Sequence, residues 1–341
     1  MNEKINNSKS SKIPEIINVD QQNAGMRLDR FLRKLIPGFN QAHLEKLIGS
    51  GGIRVNGKKS KAKFILEDND LISLPPGLMK ENKSEKNFES INVNDLKLIR
   101  DSLIFENDEI FVINKPQGIP VQGGSKITKH IDGLLQPAFK TISRPLLVHR
   151  LDKNTSGALL VAKSRHSAKH LTESFKAHKI KKIYLALVKG KLENKTFEIS
   201  KPLLKRKELG AEKVFVDFEN GSNAITQVKV ISASDNYSFL ALSPITGRTH
   251  QLRVHLADAG HPIIGDNKYD ENIKKSSNNF KNQTLQLHCF QLIFSLSNGK
   301  IETVQAELRG DMQKNITSLR MDKYIPKLGK NFQYEINDHE K

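Results

Sequence analysis

The sequence predicts an α+β protein in which a large domain with a mixed, mainly antiparallel sheet follows a small N-terminal α/β unit. Two observations lead there. Short strand-like runs with period-two alternation recur along the second half of the chain, among them EIFVINK, GALLVAK, IYLALVKG, ITQVKVIS, FLALS and LQLHCFQLIF. A regular βαβ repeat would need a helix after every strand, and most of these runs have none. The second observation is a charged stretch rich in Pro, Asn and Ser without periodicity, residues 76–97, which divides the chain as a linker. A chain of 341 residues is long enough for two cores.

The elements follow in order. Residues 1–24 read as a polar tail, and the opening MNEKINNSKSSK lacks the apolar stretch of a signal peptide. In 25–75, Leu28, Phe31, Leu32 and Leu35 fall on one helical face, a second helical pattern follows in AHLEKLI, and Asn56-Gly57 marks a hairpin before the strand LISLP. This order of two helices and a small sheet resembles the S4 RNA-binding domain. Its basic side chains, including Arg27, Arg30, Arg54 and Lys58, are candidate phosphate contacts, although a solvated basic face looks the same in sequence. Residues 98–326 form the second domain. Within it, Ser164–Ile180 reads as a helix with Ala168, Leu171, Thr172 and Phe175 on one face; 270–283 reads as a polar surface loop and 327–341 as a loose tail.

Lysine and arginine number 55 against 37 acidic residues, a formal charge of +18, which suits a polyanion binder. A bias toward lysine alone would raise Asp and Glu in step, and here they lag. The single cysteine, Cys289, excludes an internal disulfide framework and a cysteine-based zinc cluster, and points to a reducing, cytoplasmic setting. No window has the apolar length of a membrane span, so no membrane partner is expected.

The stretch HRLDKNTSG, 149–157, places Asp152 between Arg150 and Lys153 at the end of an apolar run. Nearby positive charge keeps such a carboxylate ionised and able to act as nucleophile or base, with Thr155, Ser156 and Gly157 available to fix the turn. A merely structural Asp–Arg pair is the competing reading. Further on, TGRTHQLRVHLADAGHP suggests a helix capped by Thr249 and running to about Ala259. Arg248, His250, Gln251 and Arg253 crowd its start, where cations oppose the helix dipole, so an anionic partner is expected, a phosphate or Asp152. The strand KKIYLALVKG sets Tyr184 on the face opposite Ile183 and Leu185.

Together HRLDKNTSG, the KxxY-type strand, TGRTHQLRVHLADAGHPIIGD and ENDEIFVINKPQGIPVQGG, with its Lys115-Pro116 and Gly118, resemble the RNA pseudouridine synthases of the large-subunit ribosomal RNA class, closest to its type C members. The resemblance spans about residues 104–310. It implies the pseudouridine synthase fold, a 23S ribosomal RNA substrate and no cofactor; no metal is expected, and a monomer is the working state although the sequence leaves the oligomeric state open. It also implies roles: Asp152 as catalytic aspartate, Tyr184 against the target base, and Arg253 paired with the aspartate. The target nucleotide would be flipped out, with Arg150 filling the gap or gripping a phosphate, and with Arg248, His250 and Gln251 toward the RNA.

Three other readings compete. A nucleoside hydrolase would need a second carboxylate, for which Asp266 is available although it reads more simply as a turn residue. A metal enzyme would rest on His166 and His170, with His250, His255 and His261 elsewhere, and lacks an acidic cluster. A pure RNA-binding protein would use the same basic modules and catalyse nothing.

Overall fold

The computed structural model of the chain describes residues 15–21, 23–36, 41–76, 78, 92–123, 129–141, 144–208, 211–270 and 283–325. It divides into two units, residues 1–91 and 92–341.

In the first unit the chain runs β1 (Glu15–Asn18), α1 (Leu28–Leu35), α2 (Gln41–Ser50), β2 (Arg54–Val55), β3 (Lys58–Lys59) and β4 (Leu71–Leu74). The predicted apolar stripe of α1 is buried: Leu28, Phe31 and Leu32 pack with Leu44 and Ile48 of α2 and with Ile72 and Leu74 of β4. Removing such side chains from water stabilises a small unit by about 1.5–3 kcal/mol each. Asn56 and Gly57 both take positive φ, 49° and 74°, as a two-residue hairpin between right-twisted strands requires. One expectation needs correcting. The segment Glu15–Asn18 was read as polar tail, yet it pairs antiparallel with β4 and completes a sheet of order β1-β4-β2-β3. Only alternate residues of EIIN are more deeply covered, so its short pattern of two isoleucines between polar neighbours carried little periodic signal.

The second unit opens earlier than expected. Asn92, inside the predicted linker, accepts a hydrogen bond from Asn94 N and caps α3 (Val93–Arg100). Of the rest of that linker, 79–91 lies outside the described residues, as do 271–282 of the predicted loop and the tail from 326. The chain continues with β5 (Leu103–Glu106), β6 (Ile110–Lys115), α4 (Ile131–Phe139), β7 (Leu146–Leu147), β8 (Ser156–Ala162), α5 (Arg165–Lys176), β9 (Lys181–Lys189) and β10 (Thr196–Ser200). Then come β11 (Leu203–Glu208), β12 (Ala211–Val216), β13 (Ile225–Ala233), β14 (Tyr237–Pro244), α6 (Gln251–Asp258), β15 (Leu287–Ser295), β16 (Ile301–Gln305) and α7 (Gly310–Ser318).

The main sheet has the order β10-β13-β14-β9-β15-β8-β6-β5, with β16 on β15 and β7 on β8. Its pairs are antiparallel except β15 with β8, where His288 faces Ser156 and Cys289 faces Gly157. At that crossing only glycine fits. A Cβ on Gly157 would lie 2.2 Å from the Cys289 carbonyl oxygen, and its φ of +107° disfavours any side chain. One core gathers β6 and β8 with Leu134 and Leu135 of α4 and Leu171 of α5; another packs Ile183, Leu185 and Leu187 of β9 against Met312 and Ile316 of α7. Leu252 and Leu256 anchor α6 to Leu240 and Leu242 of β14.

The start of α6 departs from the predicted Thr249 cap. His250 occupies the cap position with φ +55° and caps nothing through its side chain. The turn is closed instead by Gln251, whose Oε1 accepts from Arg248 N at 3.0 Å and from the Thr246 hydroxyl at 2.7 Å.

Candidate active site

Asp152 lies in the loop between β7 and β8, and its neighbours immobilise that loop. Within it, Thr155 N donates to Asp152 O at 3.1 Å. His149 accepts from Leu160 N through Nε2 at 2.8 Å, and its ring stacks on Phe175 at 4.7 Å. Burial pulls its pKa down to about 3, so it stays neutral and keeps accepting. The Ser156 hydroxyl, instead of bonding locally, meets His288 Nδ1 at 2.8 Å, and His288 Nε2 meets Ala306 O at 2.8 Å. Beneath the loop Lys115, at the end of β6, has no exposed surface and donates to three carbonyls: Pro116 and Ile119 at 2.8 and 2.9 Å, and Lys153 at 3.1 Å. Burial lowers its pKa to about 7 against the pull of Asp152. An ammonium has three protons, and each is placed.

The Asp152 carboxylate is partly exposed and meets two groups from the start of α6. Arg253 Nη1 donates to Oδ2 at 3.3 Å, and His250 Nε2 stands 3.6 Å from the same oxygen. Arg253 is held more firmly elsewhere. Its Nε and Nη2 donate to the two oxygens of Asp266, each at 2.7 Å, and the Asp266 side chain is 1% exposed. Burial works against the guanidinium charge, but Asp266 and then Asp152 outweigh it and raise its pKa. The anionic partner expected for the crowded helix start is therefore chiefly Asp266.

Tyr184 comes from β9, with its backbone opposite Cys289 of β15 and Leu242 of β14. Ile183 and Leu185 point into a different core from Tyr184, as strand alternation requires. Burial, and then the neighbouring Cys289, raises the Tyr184 pKa well above 10, so the phenol stays protonated. Asp152, Tyr184 and Arg253 line one cavity of about 340 Å³ together with His250 and Lys182. That size suits a small ligand group. A second cavity, about 600 Å³, shares Arg150, Asp152, His250 and Arg253 with the first and adds Lys153 and Lys268.

Other candidates are more scattered. Arg150 is exposed at the mouth of both cavities. Arg248 is exposed and donates to Asn223 O at 3.0 Å. Gln251 is 3% exposed, and its amide is fully engaged: besides its two acceptor bonds, Nε2 donates to Ile225 O and Thr226 Oγ1. Its geometry is that of a structural clamp with no group left for RNA. In the first unit Arg27 is turned onto Asp29 at 2.5 Å, and Arg54 bonds the carbonyls of Gly51 and Gly57, whereas Arg30 and Lys58 are exposed.

Among the described residues no three His, Cys, Asp or Glu side chains gather as a metal site. His170 meets Ser295 O, His255 meets Thr226 Oγ1 and Lys201 O, and His261 meets Lys189 O. No helix among the described residues is long and apolar enough to cross a membrane.

Sequence reasoning passed over three residues of the site. Asp266 looked like a turn residue because IIGDNKY has turn composition. Lys115 was noted only as part of a motif, and Tyr269 of the same IIGDNKY stretch was not singled out. The nearest available signal is the excess of cations at the start of α6, which calls for an anionic partner but points to a phosphate or Asp152 and not to Asp266.

Comparison with known proteins adds an independent line. The RNA pseudouridylate synthase model matches residues 109–258 and the S4 domain model matches 26–72. The ribosomal large subunit pseudouridine synthase C of Vibrio parahaemolyticus serotype O3:K6 is 33% identical over 311 residues, covering 90% of this chain and 96% of that protein. That of Haemophilus influenzae is 33% identical over 327 residues, covering 94% and 99%. Among solved structures, human RNA pseudouridylate synthase domain containing 4 superposes with a TM-score of 0.55 at 27% identity, covering 66% of this chain and 95% of that one.

Proposed function

This chain belongs to the RNA pseudouridine synthase family and carries an S4 domain, and from that premise we propose that it converts uridines of 23S ribosomal RNA to pseudouridine, with Asp152 as the reacting carboxylate. The relatives are named for the large ribosomal subunit, which supports that choice of RNA. The observation that carries the assignment of Asp152 is its convergence with Tyr184 and Arg253 in one cavity.

The chemistry breaks the bond between C1′ and N1 of uridine, and the pyrimidine leaves with the electron pair. Asp152 either attacks C1′, forming an ester, or takes the C2′ proton to leave a glycal. The pyrimidine turns while the Tyr184 ring holds it by stacking. A bond then forms from C5 to C1′, with the carboxylate displaced from C1′ in the first route or its proton returned to C2′ in the second; C5 loses its proton and N1 gains one. Both routes need a carboxylate oxygen held in a fixed orientation, which the Arg253 Nη1 donor provides at 3.3 Å. The nucleotide enters flipped from its stack, at a cost of a few kcal/mol that basic surface offsets. Arg150, at the cavity mouth, is the side chain placed to occupy the gap or hold a flanking phosphate.

The hydrolase reading loses support at Asp266, because both of its oxygens are taken by Arg253 and its side chain is buried. The test is release of tritium from large-subunit ribosomal RNA labelled at uracil C5. Tritium released into water with no free uracil agrees with this reading. Free uracil, or retained label with folded protein that binds the RNA, contradicts it. The working state is taken as a monomer acting in the cytoplasm.

A further inference from the structure

We propose that His250 is a positioning residue for Asp152, presenting an Nε2–H donor to the carboxylate, and that the Tyr269 hydroxyl fixes the tautomer that makes this possible. The inference rests on Asp152 being the reacting carboxylate.

A chain of hydrogen bonds runs from β12 inward. Val214 N donates to the Tyr269 hydroxyl oxygen at 3.2 Å, and that oxygen stands 2.6 Å from His250 Nδ1. A phenol has one proton to give. Nδ1 is the acceptor the structure offers it, so Nδ1 is unprotonated and the neutral ring carries its proton on Nε2. That nitrogen is the one 3.6 Å from Asp152 Oδ2, just outside hydrogen-bond reach and close enough to tighten around bound substrate.

The ring is held in this pose at a conformational cost. His250 has φ +55°, a left-handed backbone uncommon outside glycine, though less so for Asn, Asp and His than for other residues. Tyr269 offsets it with the hydrogen bond and an edge contact at 5.5 Å, and the same ring supports the Arg253 guanidinium at 5.0 Å. The carboxylate needs this second donor because Asp266 occupies Nε and Nη2 of Arg253, which leaves Nη1 alone for Asp152. A neutral N–H orients the oxygen without adding a second full positive charge, which would make the carboxylate a weaker nucleophile and base.

Two amides separate this role from a structural one. Asparagine tolerates left-handed backbone and puts its amide at the level of Nδ1, so His250→Asn can still meet Tyr269 but cannot reach Asp152. Glutamine extends an N–H to the level of Nε2. Turnover and KM for an RNA substrate are measured for His250→Ala, His250→Asn, His250→Gln and Tyr269→Phe, with thermal midpoints as a check on folding. Expected is a loss in kcat of about 10- to 100-fold for the alanine and asparagine variants, the size of a hydrogen bond to a charged group, with KM within about twofold. His250→Gln should recover to within about fivefold of the parent, and Tyr269→Phe should lose about 3- to 10-fold in kcat. His250→Asn at full speed, His250→Gln no faster than His250→Ala, or a loss confined to KM would each overturn the proposal. Asp152→Asn assayed alongside keeps the two readings apart: if it is active, the assignment of Asp152 fails, whereas an inactive Asp152→Asn beside a full-speed His250→Asn sinks only the role of His250.

Discussion

Asp266 grips Arg253 with both carboxylate oxygens, each 2.7 Å from a guanidinium nitrogen. A planar fork held at two points cannot swing, so its third nitrogen is aimed at Asp152 before any substrate arrives. Asp266→Asn keeps the shape and removes the charge, leaving a buried guanidinium without its main partner. Such a break costs about 3–5 kcal/mol. The variant should unfold at correspondingly lower urea and turn over at least about tenfold more slowly. Unchanged stability together with unchanged turnover would mean that Arg253 does not need its clamp.

The crossing of β8 and β15 makes a second, purely steric prediction. Gly157→Ala would force a methyl to 2.2 Å from the Cys289 carbonyl on a backbone with φ +107°. Strand separation at this point moves the Asp152 loop with it. A loss of more than about 3 kcal/mol in unfolding free energy is expected, and calorimetry of the purified variant reads it. A thermal midpoint equal to that of the parent would show that the strands can part freely.

Acid should weaken the fold before its carboxylates protonate. Burial holds His149 near pKa 3 and His288 near 4, against an ordinary value of 6.5. Between those values and 6.5 the unfolded chain binds protons that the native one does not, so stability falls as pH drops below about 6.5. Each histidine contributes a slope of about 1.4 kcal/mol per pH unit, His288 until about pH 4 and His149 until about pH 3. Denaturant titrations from pH 7 to 4 measure this. Replacing His149 with Asn should flatten the curve by about one proton, and an unaltered slope would refute its neutral state.

Arg150 is exposed beside the cavities, so removing it should spare folding and weaken RNA binding. Arg150→Ala is expected to lower affinity for the substrate RNA by about tenfold and to reduce the dependence of log affinity on log salt by about one. Equal affinity and an equal salt slope at several ionic strengths would remove it from the interface.

Much of this architecture is legible in the sequence because its strands are simple. Runs such as IFVI and ALLVA are short and apolar throughout, and each lies in a strand of the sheet. The site is legible in part. Asp152, Tyr184 and Arg253 were named together through a resemblance, and the structure places them in one cavity. What escaped was the support that comes from distant sequence. Asp266 lies thirteen residues from Arg253, and its role depends on a turn after α6 that folds it back into the protein. Gln251 stands among the polar residues crowding the start of α6 and is expected toward the RNA, yet its amide closes the turn from inside. β1 was missed for the opposite reason: four residues give too short a pattern, and only its partner β4 makes it a strand.

The most direct test of the central claim compares Asp152→Asn with the parent protein on ribosomal RNA labelled with tritium at uracil C5, scoring label release and RNA binding together. Loss of the carboxylate charge should abolish tritium release while the variant still binds the RNA. Release by Asp152→Asn at the parent rate would contradict the account, because the C5 proton would then be leaving without the carboxylate assigned to break the sugar bond.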